Sequence, residues 1–195
     1  MAEATLVLAT RNPHKVREFR RLLSPAGVEI EPLPDELELP PETGRTFAQN
    51  AGVKAAAAAA GTGRAAIADD SGIEAAALGG APGVYSARYA GPGATDEENL
   101  EKLLREAPGA SRLEYVCALV YVEPANGRRQ VFEGRCGGRL APEPRGSGGF
   151  GYDPAFLPDD GPAGLTMAEL SDEQKDAISH RGRAARALVA WLRSG

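Results

Sequence analysis

Cysteine is scarce, with two residues in 195, and there is no surplus of positive charge, with 22 basic side chains against 27 acidic ones. Cys117 and Cys136 lack the close spacing of metal ligands and sit in strand-like surroundings, so zinc is excluded and both read as small core residues of a cytoplasmic protein. The net charge of -5 argues against a general nucleic-acid surface, although a small phosphorylated ligand needs only a few lysines and arginines converging locally. No apolar run approaches membrane-spanning length, and Met1 to Thr5 leads straight into a strand, so neither a membrane span nor a signal peptide is expected. The remaining composition, 43% hydrophobic and 25% charged, is that of a globular protein whose length suits one domain, residues 1–195, with two lobes.

What is present begins with an apolar run of strand length, Thr5 to Ala9. The period then becomes helical over Lys15 to Leu23, placing Val16, Phe19, Leu22 and Leu23 on one face. The connecting Thr10-Arg11-Asn12-Pro13-His14-Lys15 offers Asn12 as N-cap and Pro13 at the first helical position. Backbone N–H groups at that helix start, flanked by Arg11 and Lys15, can cradle a phosphate; the alternative is a capped helix start with Lys15 in solvent. Val28 to Ile30 reads as a second strand, and Glu31 to Gly44 as a loop in which Glu42 either reaches a metal or is solvated. Thr46-Phe47-Ala48-Gln49 fits a capping box opening an alanine-rich helix that stops at Gly61-Thr62-Gly63, with Asn50 and Lys54 on one face.

The next strand, Ala65 to Ala68, delivers Asp69 and Asp70. Asp70-Ser71-Gly72 is expected to turn there, with Glu74 to Leu78 as a short return strand. Strand, helix, strand order indicates an α/β architecture. Thr95 to Glu98 forms a second capping box, and Leu113 to Val122 pairs with Gln130 to Arg135 as an antiparallel hairpin, so the sheet is mixed. Ser171 opens a short helix containing Lys175, and Ser179 caps a last helix with an Ala184, Leu188, Trp191 stripe.

Three places carry chemistry. Adjacent carboxylates at the end of a buried strand repel each other and lose solvation, so Asp69 and Asp70 call for a divalent metal or a lysine nearby. Strand alternation turns only one of them toward a given pocket, and Asp70 is the expected reactive one, an ordinary Asp-Ser-Gly turn being the alternative. In Arg145 to Pro154 the glycines let backbone approach a ligand, and Phe150 and Tyr152 can stack on a planar ring, or the loop is simply flexible. His180 and Arg181 place positive charge in the first turn of a helix, against its dipole, which suits an anion or an acceptor-rich ligand.

Taken together, Thr10 to Lys15, Asp69 to Gly72, Gly148 to Asp153 and Ser179 to Arg181 closely resemble the inosine triphosphate (dITP/XTP) pyrophosphatase family, in the same order and nearly end to end. The resemblance implies an elongated mixed β-sheet with flanking helices, two lobes around a central cleft, and a homodimer. It implies hydrolysis of ITP, dITP or XTP to monophosphate and pyrophosphate with Mg2+, removing such nucleotides before they enter DNA or RNA. Carried over residue by residue, Thr10, Arg11, Asn12, Pro13, His14 and Lys15 hold phosphates, Asp70 activates water and helps bind metal, and Ser71 touches substrate. Glu42 is the other metal carboxylate, with Asp69 supporting, and Lys54 and Lys175 neutralise phosphate charge. Phe150, Gly151, Tyr152 and Asp153 frame the base, and His180 and Arg181 donate to the purine 6-oxo group. One departure is Gln49, where the family commonly has glutamate. A Maf-like nucleotide pyrophosphatase and a non-catalytic nucleotide sensor are the competing readings; the Ser179 to Arg181 element disfavours the first and the aspartate pair the second.

Overall fold

The structure, a computed structural model, describes residues 4–194; residues 1–3, read above as leading directly into the first strand, and residue 195 lie outside it. Six strands form one mixed sheet in the order β2-β1-β3-β4-β5-β6. They are β1 (Ala4–Leu8), β2 (Val28–Pro32), β3 (Ala66–Ala75), β4 (Arg112–Glu123), β5 (Arg128–Leu140) and β6 (Phe156–Pro158). The helices are α1 (Pro13–Leu23), α2 (Phe47–Thr62), α3 (Asp96–Glu106), α4 (Asp172–Ile178) and α5 (His180–Ser194). Helical crossovers from β1 to β2 through α1 and from β2 to β3 through α2 leave β1 with a parallel neighbour on each side, Leu6 opposite Ile30 on β2 and Leu8 opposite Ile67 on β3. β5 and β6 are antiparallel. The link from β4 to β5 is too short for a parallel crossover.

The described residues divide into two compact units, 4–70, 117–134 and 181–194 in one and 71–116 and 135–180 in the other. In the first unit, alternation along β1 sends Leu6 and Leu8 to one face, packed with Phe19, Leu23 and Leu188. Val7 and Ala9 face the other way, against Ala51, Ala55, Ala58 and Ala59 of α2. Those alanines explain the helix's composition: with no side chain beyond Cβ, α2 lies close on the strands. The second unit has its own core, in which Ile73, Leu103, Tyr115, Cys136, Phe156 and Met167 meet. Cys117 and Cys136 are both buried thiols, as expected for core residues.

Two expectations about strands fail. β3 does not turn after Asp70 but runs on to Ala75, ten residues in all, and 76–78 is a single 3-10 turn instead of a return strand. Asp-Ser-Gly has turn composition, yet Ile73 and Ala75 beyond it are fully buried, and the Ile73 N–H donates to Ser86 Oγ at 2.9 Å, so burial outweighs local preference. β6 went unrecognised because three residues carry no periodicity. At the start of α2, Thr46 accepts from Gln49 N–H as expected, but Gln49 Oε1 accepts from Arg45 N–H, one residue outside a strict capping box. Thr95 to Glu98 makes the full reciprocal box.

Candidate functional site

The first unit supplies a charged cluster built on β3, α1, α2 and α5. Alternation along β3 separates the two aspartates. Asp69, wholly buried, meets Lys15 Nζ of α1 at 2.9 Å and Arg181 Nε of α5 at 3.4 Å. Asp70 accepts from Asn50 Nδ2 of α2 at 2.8 Å. Burial alone would raise the Asp69 carboxyl, but Lys15, Arg181 and Lys54 outweigh it and hold the group well below the usual carboxylate range. Burial raises Asp70, and the neighbouring Glu42 charge raises it further, against the bond from Asn50. Adjacent, chemically identical groups are thereby driven in opposite directions, one locked as an anion and one able to take a proton.

Lys54 bonds Glu42 and the Asp69 carbonyl, the latter at 2.7 Å. Burial disfavours its charge, yet Asp69 and Glu42 overcome that and keep it protonated. Asn50 also accepts from Gly44 N–H at 2.7 Å, tying the end of the acidic loop to the helix that holds Asp70. A Cβ on Gly44 would lie 2.6 Å from Asn50 Oδ1, so the close approach requires glycine. Asn50 went unassigned in the sequence, although its position one turn before Lys54 was the available signal. Gln49 bonds Arg45, away from Lys54's partners, so its departure from glutamate leaves the cluster's ion pairs intact.

The helix start differs from the expected cradle. Asn12 Oδ1 accepts from the N–H groups of His14 at 2.9 Å and Lys15 at 3.4 Å, and Pro13 has none, so the first backbone donors are already taken. Thr10 Oγ1 accepts from Asn12 N–H, and His14 Nδ1 lies 2.8 Å from Arg17. Arg11 points to the acidic loop, where its guanidinium bonds the carbonyls of Leu33, Pro34, Asp35 and Leu37. Cation capacity here resides in Lys15 and Lys54. The unfavourable charge of Arg181 at the start of α5 is answered within the protein, by Asp69 and by Glu18 Oε2 at 3.0 Å from Nη1. Glu18 carried no sequence signal beyond helix membership.

Among the described residues no group of three or more His, Cys, Asp or Glu side chains forms a metal cage. Glu42 and Asp70 are near enough for one charge to raise the other's pKa, and both offer hard oxygens. That donor set fits Mg2+, which is commonly held by one or two carboxylates together with substrate phosphates. The charge of Asp69 is set against Lys15 and Arg181.

In the second unit Ser71 follows on β3, half-buried, and a second set gathers around Asp153. Asp153 Oδ2 accepts from Lys175 Nζ at 2.8 Å and from Phe150 N–H at 3.0 Å, and Oδ1 accepts from Tyr115 Oη at 3.0 Å. Lys175, buried in this pair, faces a carboxylate where a phosphate was expected. A side chain at Gly149 would strike Asp153, and its φ of 72° independently demands glycine. Tyr152 does not offer a stacking face. It is buried in the core with its hydroxyl on Ser86 O at 2.7 Å, which leaves Phe150, half-buried, as the loop's aromatic surface. Gly151 N–H donates to Asp96 at 2.9 Å. The His180 ring lies parallel to Tyr115, centroids 4.6 Å apart.

Comparison with known proteins places the chain among relatives over nearly its whole length. The Ham1 family matches residues 6–191. A dITP/XTP pyrophosphatase of Photorhabdus laumondii is 48% identical over 97% of this chain and 98% of its own length. Another, from Symbiobacterium thermophilum, is 50% identical over 94% and 92% respectively. Among solved structures, a HAM1 protein from Coxiella burnetii superposes with a TM-score of 0.84 at 40% identity, covering 98% of this chain and all of that one. A nucleoside-triphosphatase / dITP/XTP pyrophosphatase from Mycobacterium abscessus gives a TM-score of 0.73 at 44% identity, covering 94% and 98%. With the match running through every strand and through the residues around both aspartates, the chain belongs to the Ham1 family.

Proposed function

We infer that this protein is a nucleoside-triphosphate pyrophosphatase acting on the non-standard purine nucleotides dITP, ITP and XTP, releasing the monophosphate and pyrophosphate. The observation that carries the reading is the opposed electrostatics of Asp69 and Asp70, in a chain whose relatives carry that activity's name. Water adds across the α–β phosphoanhydride: its oxygen bonds one phosphorus, the bridging oxygen departs with the other, and Asp70 accepts the proton. Asn50 orients Asp70. Glu42 and Asp70 would hold Mg2+, which when bound supplies charge to the phosphates and the leaving group. Lys15 and Lys54, held ready by Asp69 and Glu42, add positive charge on the same side.

His180 is assigned as donor to the purine 6-oxo group, with Phe150 and Asp153 framing the base and Lys175 holding Asp153. Arg181, bonded to Asp69 and Glu18, is assigned to holding the start of α5 and the Asp69 charge in place of reading the base. An adenine amino group would leave the His180 donor unpaired, at a cost of about 1–3 kcal/mol. The same reading makes the protein a cytoplasmic homodimer; among the described residues no helix is long and apolar enough to cross a membrane, and sedimentation of the purified chain checks the dimer.

Phosphorus NMR with Mg2+ and separate ITP, XTP, GTP and ATP tests the proposal. Pyrophosphate and monophosphate are expected from ITP and XTP, with GTP and ATP nearly untouched. Orthophosphate release, or equal use of all four, overturns it, and binding without turnover would make the protein a nucleotide sensor.

A further inference from the structure

Tyr115 on β4 is buried, 6% exposed, and takes no part in the functions assigned above. A core position against Phe156, whose ring lies 4.7 Å away, asks only for an apolar ring, and phenylalanine would fill it. The hydroxyl is therefore an addition that packing does not require, and it donates to Asp153 Oδ1 at 3.0 Å. Lys175 and the Phe150 N–H both bond the other oxygen. With both oxygens engaged from different elements, the carboxylate plane is set, and Phe150 and Lys175 are set with it.

The loop needs that anchor. Gly146, Gly149 and Gly151 all have positive φ, so the segment has no regular ladder to hold its conformation. Tyr115, in contrast, is the fourth residue of a twelve-residue strand. The face of the same ring lies parallel to His180, with 4° between the planes and 4.6 Å between centroids. One rigid side chain thus contacts both the loop's aspartate and the first residue of α5.

We propose that Tyr115 is a specificity-determining positioning residue: its hydroxyl holds Asp153 and its face orients the His180 imidazole, so the loop and the imidazole keep one spacing. The assignment rests on the base-reading roles proposed for Asp153 and His180. Those roles place the loss on nucleotide recognition, whereas a merely structural tyrosine would affect stability alone.

The test is steady-state kinetics of Tyr115→Phe and Tyr115→Leu with Mg2+ and either ITP or ATP, alongside proton NMR of the imidazoles. Only His14 and His180 occur, so the two sets of ring signals separate readily. Tyr115→Phe is expected to keep the upfield ring-current shift of His180 while KM for ITP rises about tenfold, the loss falling on KM and not on kcat. Tyr115→Leu is expected to abolish the shift and to reduce the ITP/ATP preference about tenfold further. Should the leucine variant not fold, a double-mutant cycle of Tyr115→Phe with Asp153→Asn decides: non-additive KM effects support the proposal and additive ones overturn it. Unchanged KM in Tyr115→Phe also overturns it. A wild type without ITP preference overturns the base-reading assignment and this proposal together, while a selective wild type with unmoved variants overturns only the part given to Tyr115.

Discussion

Asp69 and Asp70 differ in nothing but their neighbours, and those neighbours set opposite pH behaviour. Because the Asp70 carboxyl is raised in the folded chain, the unfolded chain ionises first as pH climbs. The folded state is then penalised increasingly from the ordinary aspartate range, about 3.9, upward, and fully above the folded value. Asp70→Asn removes that penalty. It is expected to lower turnover by about a hundredfold or more while nucleotide affinity persists, and to raise the melting temperature by a margin that grows with pH through the same window. Surviving turnover would remove Asp70 from the base role; a margin that shrinks with pH would contradict its raised pKa. Asp69 runs the other way. Its depressed carboxyl contributes stability that is present above the ordinary range and lost as pH falls through the folded value. Asp69→Asn, which leaves Lys15 and Arg181 without their shared anion, is expected to cost about 3 kcal/mol in urea unfolding at neutral pH. A cost below about 1 kcal/mol would show that Glu18 and water suffice.

At the scale of elements, the acidic loop after β2 has no regular structure, yet it carries Glu42. Arg11 holds its near end through four carbonyls, while Asn50 and Lys54 of α2 hold Gly44 and Glu42 at the far end. A lysine at position 11 has one ammonium where the guanidinium has a planar fork, and cannot reach four acceptors in the same geometry. Arg11→Lys is accordingly expected to speed hydrogen exchange of the Leu37 amide, bonded to Pro34 O at 3.1 Å, about tenfold, leaving the amide of Ala9, bonded to Ile67 O, unchanged. Equal protection in both proteins would mean that the loop holds itself. The exchange experiment separates this clamp from phosphate binding, since it needs no nucleotide.

For the whole molecule, the question is how far folding depends on the metal proposed for the reaction. The net charge of -5 gives a polyanionic substrate no general attraction, so the proposed reading puts recognition on the local cations Lys15 and Lys54 together with Mg2+. Those lysines already have carboxylate partners, and Asp69 has two cations, so these ions are paired within the protein without a divalent ion. Chelation with EDTA is expected to abolish hydrolysis while the circular dichroism melting curve stays within about 2 °C, since a weakly bound ion stabilises only by mass action. Unfolding on chelation would make the metal a structural component and would place more ligands around it than Glu42 and Asp70.

The sequence by itself determined the local and the periodic. Asn12, Thr95 and Ser171 cap helices where their side chains and the residues following them required, and the helical faces of α1 and α5 bury Phe19, Leu23, Ala184 and Leu188 and pack Val16, Leu22 and Trp191, half-buried, beside them. Motif order pointed to the family and hence to the chemistry, and alternation foretold that Asp69 and Asp70 would part company. What only the tertiary structure decided was each charged group's partner, because ion pairs join residues far apart in the chain. Arg181 and Asp69 are 112 positions apart, Arg181 and Glu18 are 163 apart, and no local pattern records such pairings. For the same reason Asp70-Ser71-Gly72 looked like a turn and is a strand: a tripeptide's preference is small against the burial of Ile73 and Ala75 in a core made by other segments.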